Sequence, residues 1–191
     1  MYGICRLLIV NFEHPSKQRL ITKIKNHHNC EQIESMVKPE VSEFGSVDPA
    51  PPSRQKSVKI LNSILTDENE KMFERMRAVF ALRNDGSIES IEALSNGFNS
   101  NSALLKHEIA YVMGQMQNEA ALPFLIDRLE DEEEDVMVRH EAAEAIGAIG
   151  DLNSKGVLEK YLDHELPEIS ESCEVALDLL AHCNNDQIHP F

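Results

Sequence analysis

Two stretches, HEIAYVMG at 107–114 and HEAAEAIG at 140–147, decide how this chain folds. Both follow the pattern His-Glu-x-Ala-x-x-x-Gly, each comes after a basic residue (Lys106, Arg139), and their starts lie 33 residues apart. Working outward from them, the same apolar frame recurs on either side. Met76, His107, His140 and Glu171 fall in register at steps of 31, 33 and 31. Five positions further on come Ala81, Val112, Ala145 and Ala176, followed by Leu82, Met113, Ile146 and Leu177. A repeat of this length holds two helices, so the chain reads as all-α, an α-solenoid of HEAT-like helical hairpins whose stacked units share one core.

Apolar residues at helical spacing place helices over 54–66, 70–84, 87–97, 102–117, 119–130, 136–149, 153–163 and 168–182. Gly86, Asn118, Gly150 and Pro167 lie at or near the breaks, and Pro123 falls in the first turn of its helix, where proline is tolerated. Ahead of the repeats, SVDPAPPS (46–53) has three prolines in four positions and reads as an extended linker. The expected organisation is therefore an atypical N-terminal segment 1–45, partly disordered or helical over 16–26 and 30–37, then the linker 46–53. A repeat domain 54–183 and a tail 184–191 follow.

The net charge of −15 is uneven. Residues 1–45 hold 6 basic and 5 acidic side chains (+1), whereas 46–191 hold 12 and 28 (−16). An acidic body repels phosphates, which argues against nucleic acid, and it favours a cationic substrate. The run EDEEED (130–135) reads as a solvated loop between helices. No stretch is long and apolar enough to span a membrane, and the start lacks the features of a signal peptide. Cys5, Cys30, Cys173 and Cys183 show no CxxC spacing; Cys173 sits at an apolar helical position and reads as a buried thiol, and reduced intracellular cysteines are expected.

The repeat carries its own control. All four units keep the apolar frame, yet only the inner two place His-Glu at the variable pair; the outer two have Met76-Arg77 and Glu171-Ser172. The fold does not require His-Glu. Neighbouring residues on a helix diverge by about 100°, so a His and its following Glu cannot both point at one atom. Both can border one concave surface, where pairs from adjacent units converge. Two His plus one carboxylate form a facial triad suited to Fe(II), and imidazole without thiolate favours iron over Zn, Mg or Ca. The remaining Glu would make a supporting hydrogen bond or hold a cationic substrate. Gly114 and Gly147, seven residues after each His, would allow close helix approach or leave room for substrate. His14, His27, His28, His164, His182 and His189 have no comparable setting and read as surface or tail residues. Tyr111 and Glu144 stand where a zinc-protease HExxH would need its second His, and no glycine-rich phosphate loop or nucleophile elbow is present.

The stretches SVDPAPP (46–52), FERMRAVFALRNDG (73–86), SALLKHEIAYVMGQMQNEAALP (102–123), VMVRHEAAEAIGAIGD (136–151) and ESCEVALDLL (171–180) together resemble the deoxyhypusine hydroxylase family of HEAT-repeat di-iron monooxygenases. The resemblance implies hydroxylation by O2 of a deoxyhypusine side chain on the hypusine-carrying translation factor, with Fe(2+) as cofactor and a cytoplasmic or nuclear location. Carried over residue by residue, it makes His107, Glu108 and His140 ligands of one iron and Glu141 a further ligand or a substrate-amine contact. Met137 and Gly114 would line the substrate channel, beside Glu108 and Glu141. The family has two pseudo-symmetric halves with four His-Glu pairs, and this chain matches the second half; residues 1–45 hold no His-Glu. The alternatives are a fragment or incomplete gene product, a homodimer rebuilding the cavity, or a catalytically incomplete half-enzyme. A metal-free HEAT-repeat protein-binding scaffold is the competing class, and it has no need of the paired motifs. A HEAT-like chromophore lyase predicts neither paired motif nor iron.

Overall fold

The computed structural model describes residues 39–188, whose regular elements are helical apart from one isolated antiparallel bridge between Val41 and Val47. Eight α-helices follow among the described residues: α1 (Val58–Thr66), α2 (Met72–Asp85), α3 (Ile88–Asn96), α4 (Ala103–Met116), α5 (Leu122–Glu130), α6 (Val136–Ile149), α7 (Lys155–Glu159) and α8 (Pro167–Ile188). The even-numbered helices stack in one row, α2 on α4 on α6 on α8, and the odd-numbered helices lie against them. This is the α-solenoid of HEAT-like hairpins that the repeat predicts. The expected helices at 16–26 and 30–37 lie outside the described residues.

Local chemistry sets the helix limits. Ser57, Ser87 and Ser102 accept the N–H groups of Ile60, Ser90 and Leu105, and Asp135 accepts that of Met137, satisfying donors that each first turn leaves open. With Ser57 as cap, α1 starts at Val58 rather than at 54, and the Gln55 amide oxygen takes the N–H groups of Lys56 and Ser57. Three helices of the even row end at one repeat position, on Gly86, Gln117 and Gly150, with φ of 72°, 49° and 85°. Glycine has no Cβ to clash in that left-handed conformation. Gln117 does, and its Nε2 donates to the Ala148 carbonyl at 3.0 Å, tying the end of α4 to α6. The break thus falls at Gln117, and Asn118 caps the following 3-10 turn. The helix expected over 153–163 is shorter, with a 3-10 turn at Leu152–Ser154 leading into α7, and α8 runs on past 182 to Ile188.

The apolar frame is buried as the repeat requires. Ala81, Leu82, Val112, Met113, Ala145, Ile146 and Ala176 are all buried, and Leu177 packs partly buried against them. Glycines bring the even row together. A Cβ on Gly114 would meet Ala145 Cα and Cβ at 3.0 Å, and one on Gly147 would meet Ala176 Cα and Cβ at 2.7 Å.

The basic residue before each of the first three variable pairs has a structural task. Arg75 and Arg139, both buried, donate Nε to the carbonyls of Leu65 and Leu129 at 2.8 and 3.1 Å, fastening each even helix to the end of the odd helix before it. Lys106 instead pairs with Glu134, which also meets Arg128 at 3.4 Å. Glu134 is therefore not a solvated member of the 130–135 run: its side chain is 3% exposed and braces α4, α5 and the turn into α6.

The proline-rich stretch holds no helix, and it is packed on the repeats. Ser53 N–H donates to the Arg77 carbonyl at 2.9 Å, Arg77 Nε donates to the Pro51 carbonyl at 3.2 Å, and Ala50 is buried. Asp48 forms a buried ion pair with Arg83 at 2.7 Å. Composition excludes helix here; it does not reveal a docking partner 35 residues away.

The glycine contacts give a graded prediction. Alanine gains about 1 kcal/mol of helix propensity over glycine, against about 1–3 kcal/mol for overpacking. Gly147→Ala, pressed on Ala176 backbone, should lower the melting temperature by a few degrees, at about 2–4 °C per kcal/mol. Gly114→Ala should be near neutral. Thermal melts of both variants check this, and equal shifts would contradict it.

Candidate metal centre

His107 and His140 each stand on the second turn of their helices, α4 and α6, at the same repeat position. Stacking of those helices sets the two imidazole centroids 5.6 Å apart, inclined by 44°. Glu141 reaches back from α6, its Oε2 3.1 Å from His107 Nε2. His107, His140 and Glu141 each offer one ligand atom, all within 4.8 Å of one another. The rings are about a quarter exposed, whereas the Glu141 side chain is 11% exposed. The donors thus open on a surface while their backs are buried.

Glu141 supplies the carboxylate of this trio. Glu108 is not in the trio, although the family resemblance makes it an iron ligand beside His107. The divergence of adjacent helix residues accounts for this: with His107 turned toward α6, Glu108 turns aside. Burial raises the Glu108 pKa; His107 opposes that, while the charges of Glu141 and Asp48 add to it. For His107, burial alone would lower the pKa, but the hydrogen bond and charge of Glu141, with Glu108 and Glu144 beyond, raise it above the ordinary value.

The donor set fits a divalent ion of the iron type. Two ligand atoms about 2.1 Å from a common metal, at a right angle to each other, lie about 3 Å apart, and the His107–Glu141 contact is 3.1 Å. Two nitrogens and one carboxylate oxygen are the facial-triad donors. His107 Nδ1 is buried without a hydrogen-bond partner. Such an atom costs about 1–3 kcal/mol, and an ion held at Nε2 would leave that cost in place.

Two neighbours of the trio escape a reading of the sequence for ligands. Glu144 Oε1 lies 3.8 Å from His140 Nδ1 and 3.4 Å from Ser172 Oγ on α8. Tyr111 occupies the matching position on α4, and burial, then Glu108 and Glu141, raise its pKa. Both follow their histidine by four residues, which places them on the same helix face. That spacing is the signal that could have found them. Met137 lies half-buried one turn before His140. Gly114 is buried against Ala145, so of its two readings the geometry displays close helix approach. Gly147 does the same against Ala176.

Other titratable groups stand apart. His164 Nδ1 accepts the Leu166 N–H at 3.1 Å, and its ring lies 6.0 Å from that of Tyr161. His182 is exposed; His14, His27, His28 and His189 fall outside the described residues. Cys173 is buried as expected, and burial pushes its thiol pKa up to about 11, which keeps it protonated. Cys183 is exposed, and Cys5 and Cys30 fall outside the described residues. No described helix is long and apolar enough to cross a membrane.

A family model described as HEAT repeats matches residues 57–137 and 91–178. The chain is 50% identical over 144 residues to deoxyhypusine hydroxylase of Danio rerio, covering 75% of this chain and 47% of that protein. It is 46% identical over 144 residues to the Homo sapiens deoxyhypusine hydroxylase, covering 75% and 48%. Deoxyhypusine hydroxylase-B of Oryza sativa subsp. japonica is 45% identical over 172 residues, or 90% of this chain and 56% of that one. A solved structure of the human enzyme in complex with glycerol superposes with a TM-score of 0.73 at 46% identity, covering 76% of this chain and 50% of that one. The CpcE–CpcF phycocyanin lyase complex of Nostoc, at 21% identity, TM-score 0.51 and coverage of 65% and 53%, shares the fold alone. The chain spans about half the length of the curated relatives it matches.

The double variant His107→Ala, His140→Ala removes both nitrogens of the trio while keeping good helix formers. It should lose divalent-metal uptake in equilibrium dialysis and keep its helical circular-dichroism spectrum. Loss of the helical spectrum would make the histidines structural.

Proposed function

We propose the following for a chain that belongs to the HEAT-repeat family: it acts as half of a deoxyhypusine hydroxylase-type iron monooxygenase. The observation that carries the reading is the trio His107, His140 and Glu141, set on paired His-Glu motifs within a chain 42–50% identical to proteins named deoxyhypusine hydroxylase. Iron bound there would supply the activation of O2 for the hydroxylation. The rest falls to the protein. His107, His140 and Glu141 would hold the ion. Glu108, beside the trio and partly desolvated, presents a carboxylate to the ammonium groups of a deoxyhypusine side chain, and burial strengthens that attraction. Met137, half-buried one turn before His140, offers apolar surface to the methylene chain between those groups. The net charge of −15 favours approach of such a cation and opposes nucleic acid. The partner is then the deoxyhypusine-bearing translation factor, met in the cytoplasm or nucleus.

The reading takes two forms. In one, a second copy of the chain supplies the facing pair of motifs and a di-iron centre forms between protomers. In the other, the chain keeps one set of ligands and does not turn over alone. A HEAT-repeat scaffold would need neither set.

The test is iron per chain on protein prepared without oxygen, read beside native mass, followed by aerobic incubation with a deoxyhypusine-bearing factor. About one iron per chain in a dimer, with gain of one oxygen atom by the factor, is the expected outcome. Iron on a monomer without oxygen transfer supports the half-enzyme. Absence of iron on the unaltered chain overturns the reading in favour of a scaffold.

A further inference from the structure

We propose that Tyr111 is a hydrogen-bond donor of this centre, aimed by a relay that starts on the proline-rich strap and runs Asp48–Arg83–Gln115–Tyr111. The inference rests on the metal-centre reading and adds a residue that no ligand motif contains. Its logic is a count of donors and acceptors. Arg83 is 1% exposed, and a guanidinium has only donors to offer. Its Nη1 and Nη2 donate to the two Asp48 oxygens at 2.9 and 2.7 Å, a paired fork, while Nε donates to Asn84 Oδ1 at 3.1 Å. The rings of Phe44 and Phe80 lie 4.4 and 5.0 Å from its central carbon, so the guanidinium is held as well as neutralised.

Nη1 also donates to Gln115 Oε1 at 2.8 Å. Because Arg83 cannot accept, the Gln115 oxygen has to face it, and the orientation of that amide is fixed. Its Nε2 then points the other way and donates to Tyr111 Oη at 3.1 Å and to Ser46 Oγ at 3.3 Å. Ser46 Oγ donates to Asp48 Oδ1 at 2.9 Å, closing the network on the strap. Tyr111 is thereby an acceptor within the relay, and its own proton is left over.

That proton belongs to the face that carries the site. Tyr111 follows His107 by four residues and Glu108 by three on α4, positions that share a helix face. Tyr111 is 37% exposed, so the residue is open to solvent. The charges acting on it are those of Glu108 and Glu141, with Asp48 and Arg83 behind, and burial together with the carboxylates keeps the phenol protonated. The equivalent slot on α6 holds Glu144, an acceptor placed beside His140. The two repeats thus flank the trio with one donor and one acceptor. The ligand class served by the donor is a small anion, or an oxygen or nitrogen acceptor atom, bound beside the trio.

The test uses the full chain loaded with Co(II), titrated with azide as the probe anion and followed by visible absorption. Tyr111→Phe should keep Co(II) affinity and the circular-dichroism spectrum while weakening azide binding about tenfold to a hundredfold, the effect of one hydrogen bond to a charged group. Gln115→Glu is the second variant. The new carboxylate still accepts from Arg83 but cannot donate to Tyr111, so it draws the phenol proton away from the site. Azide binding should weaken here too, with the phenol still present. Unchanged azide affinity in Tyr111→Phe overturns this proposal alone, and a loss in Tyr111→Phe without one in Gln115→Glu overturns the relay. Failure of the unaltered chain to take up Co(II) overturns the metal centre and this proposal together.

Discussion

The close approach of α4 and α6 is the constraint on which the rest depends. Packed helices ordinarily lie about 8–10 Å apart, and small residues at the contact favour the lower end. Gly114, set against Ala145, is such a contact, and it lies seven residues, two turns, after His107. The face of α4 that touches α6 is therefore the face that carries the imidazole. A bulkier residue at 114 would separate the helices and the 5.6 Å ring pair with them. Gly147 repeats the arrangement against Ala176, but α8 brings Glu171 and Ser172 to the variable pair. The stacking rule is shared along the row, and the chemistry is confined to one step of it.

Charge is arranged around the same stack. Arg75, Arg83 and Arg139 are all nearly inaccessible to solvent. A buried cation is costly unless hydrogen bonds or a counter-ion compensate it. Arg75 has the Leu65 carbonyl, Glu68 and Ser100, and Arg83 has Asp48, Asn84 and Gln115. Arg139 has the Leu129 carbonyl and the Tyr161 ring at 6.0 Å, while its Nη2 has no hydrogen-bond partner. The anchored arginines fix helix ends and strap.

Much of this was legible in the sequence, for identifiable reasons. The 31- and 33-residue steps define the even row, because a solenoid has to repeat its buried positions. The His-Glu pairs stand out because the outer units keep the frame without them. That the Glu141 carboxylate converges with the two imidazoles, with Glu108 outside the trio, was not legible: it depends on how α4 and α6 are rotated about their axes, which the spacing leaves open. Tyr111 and Glu144 were in view only as the residues that break an HExxH motif. Glu134 was hidden by its acidic neighbours, and the docking of SVDPAPPS by its prolines. Each is settled by a partner distant in sequence, Lys106 for Glu134 and Arg83 for Asp48.

The trio spans two repeats, two of its members on α6 and one on α4. In a solenoid each unit contacts only its neighbours, so an array can open at a single seam while both sides stay folded. The lifetime of the ligand set is then the lifetime of the α4–α6 seam rather than that of the whole chain. Amide exchange along those two helices would measure it directly, and an ion bridging the seam would act as a clasp, slowing exchange there more than at the ends of the row.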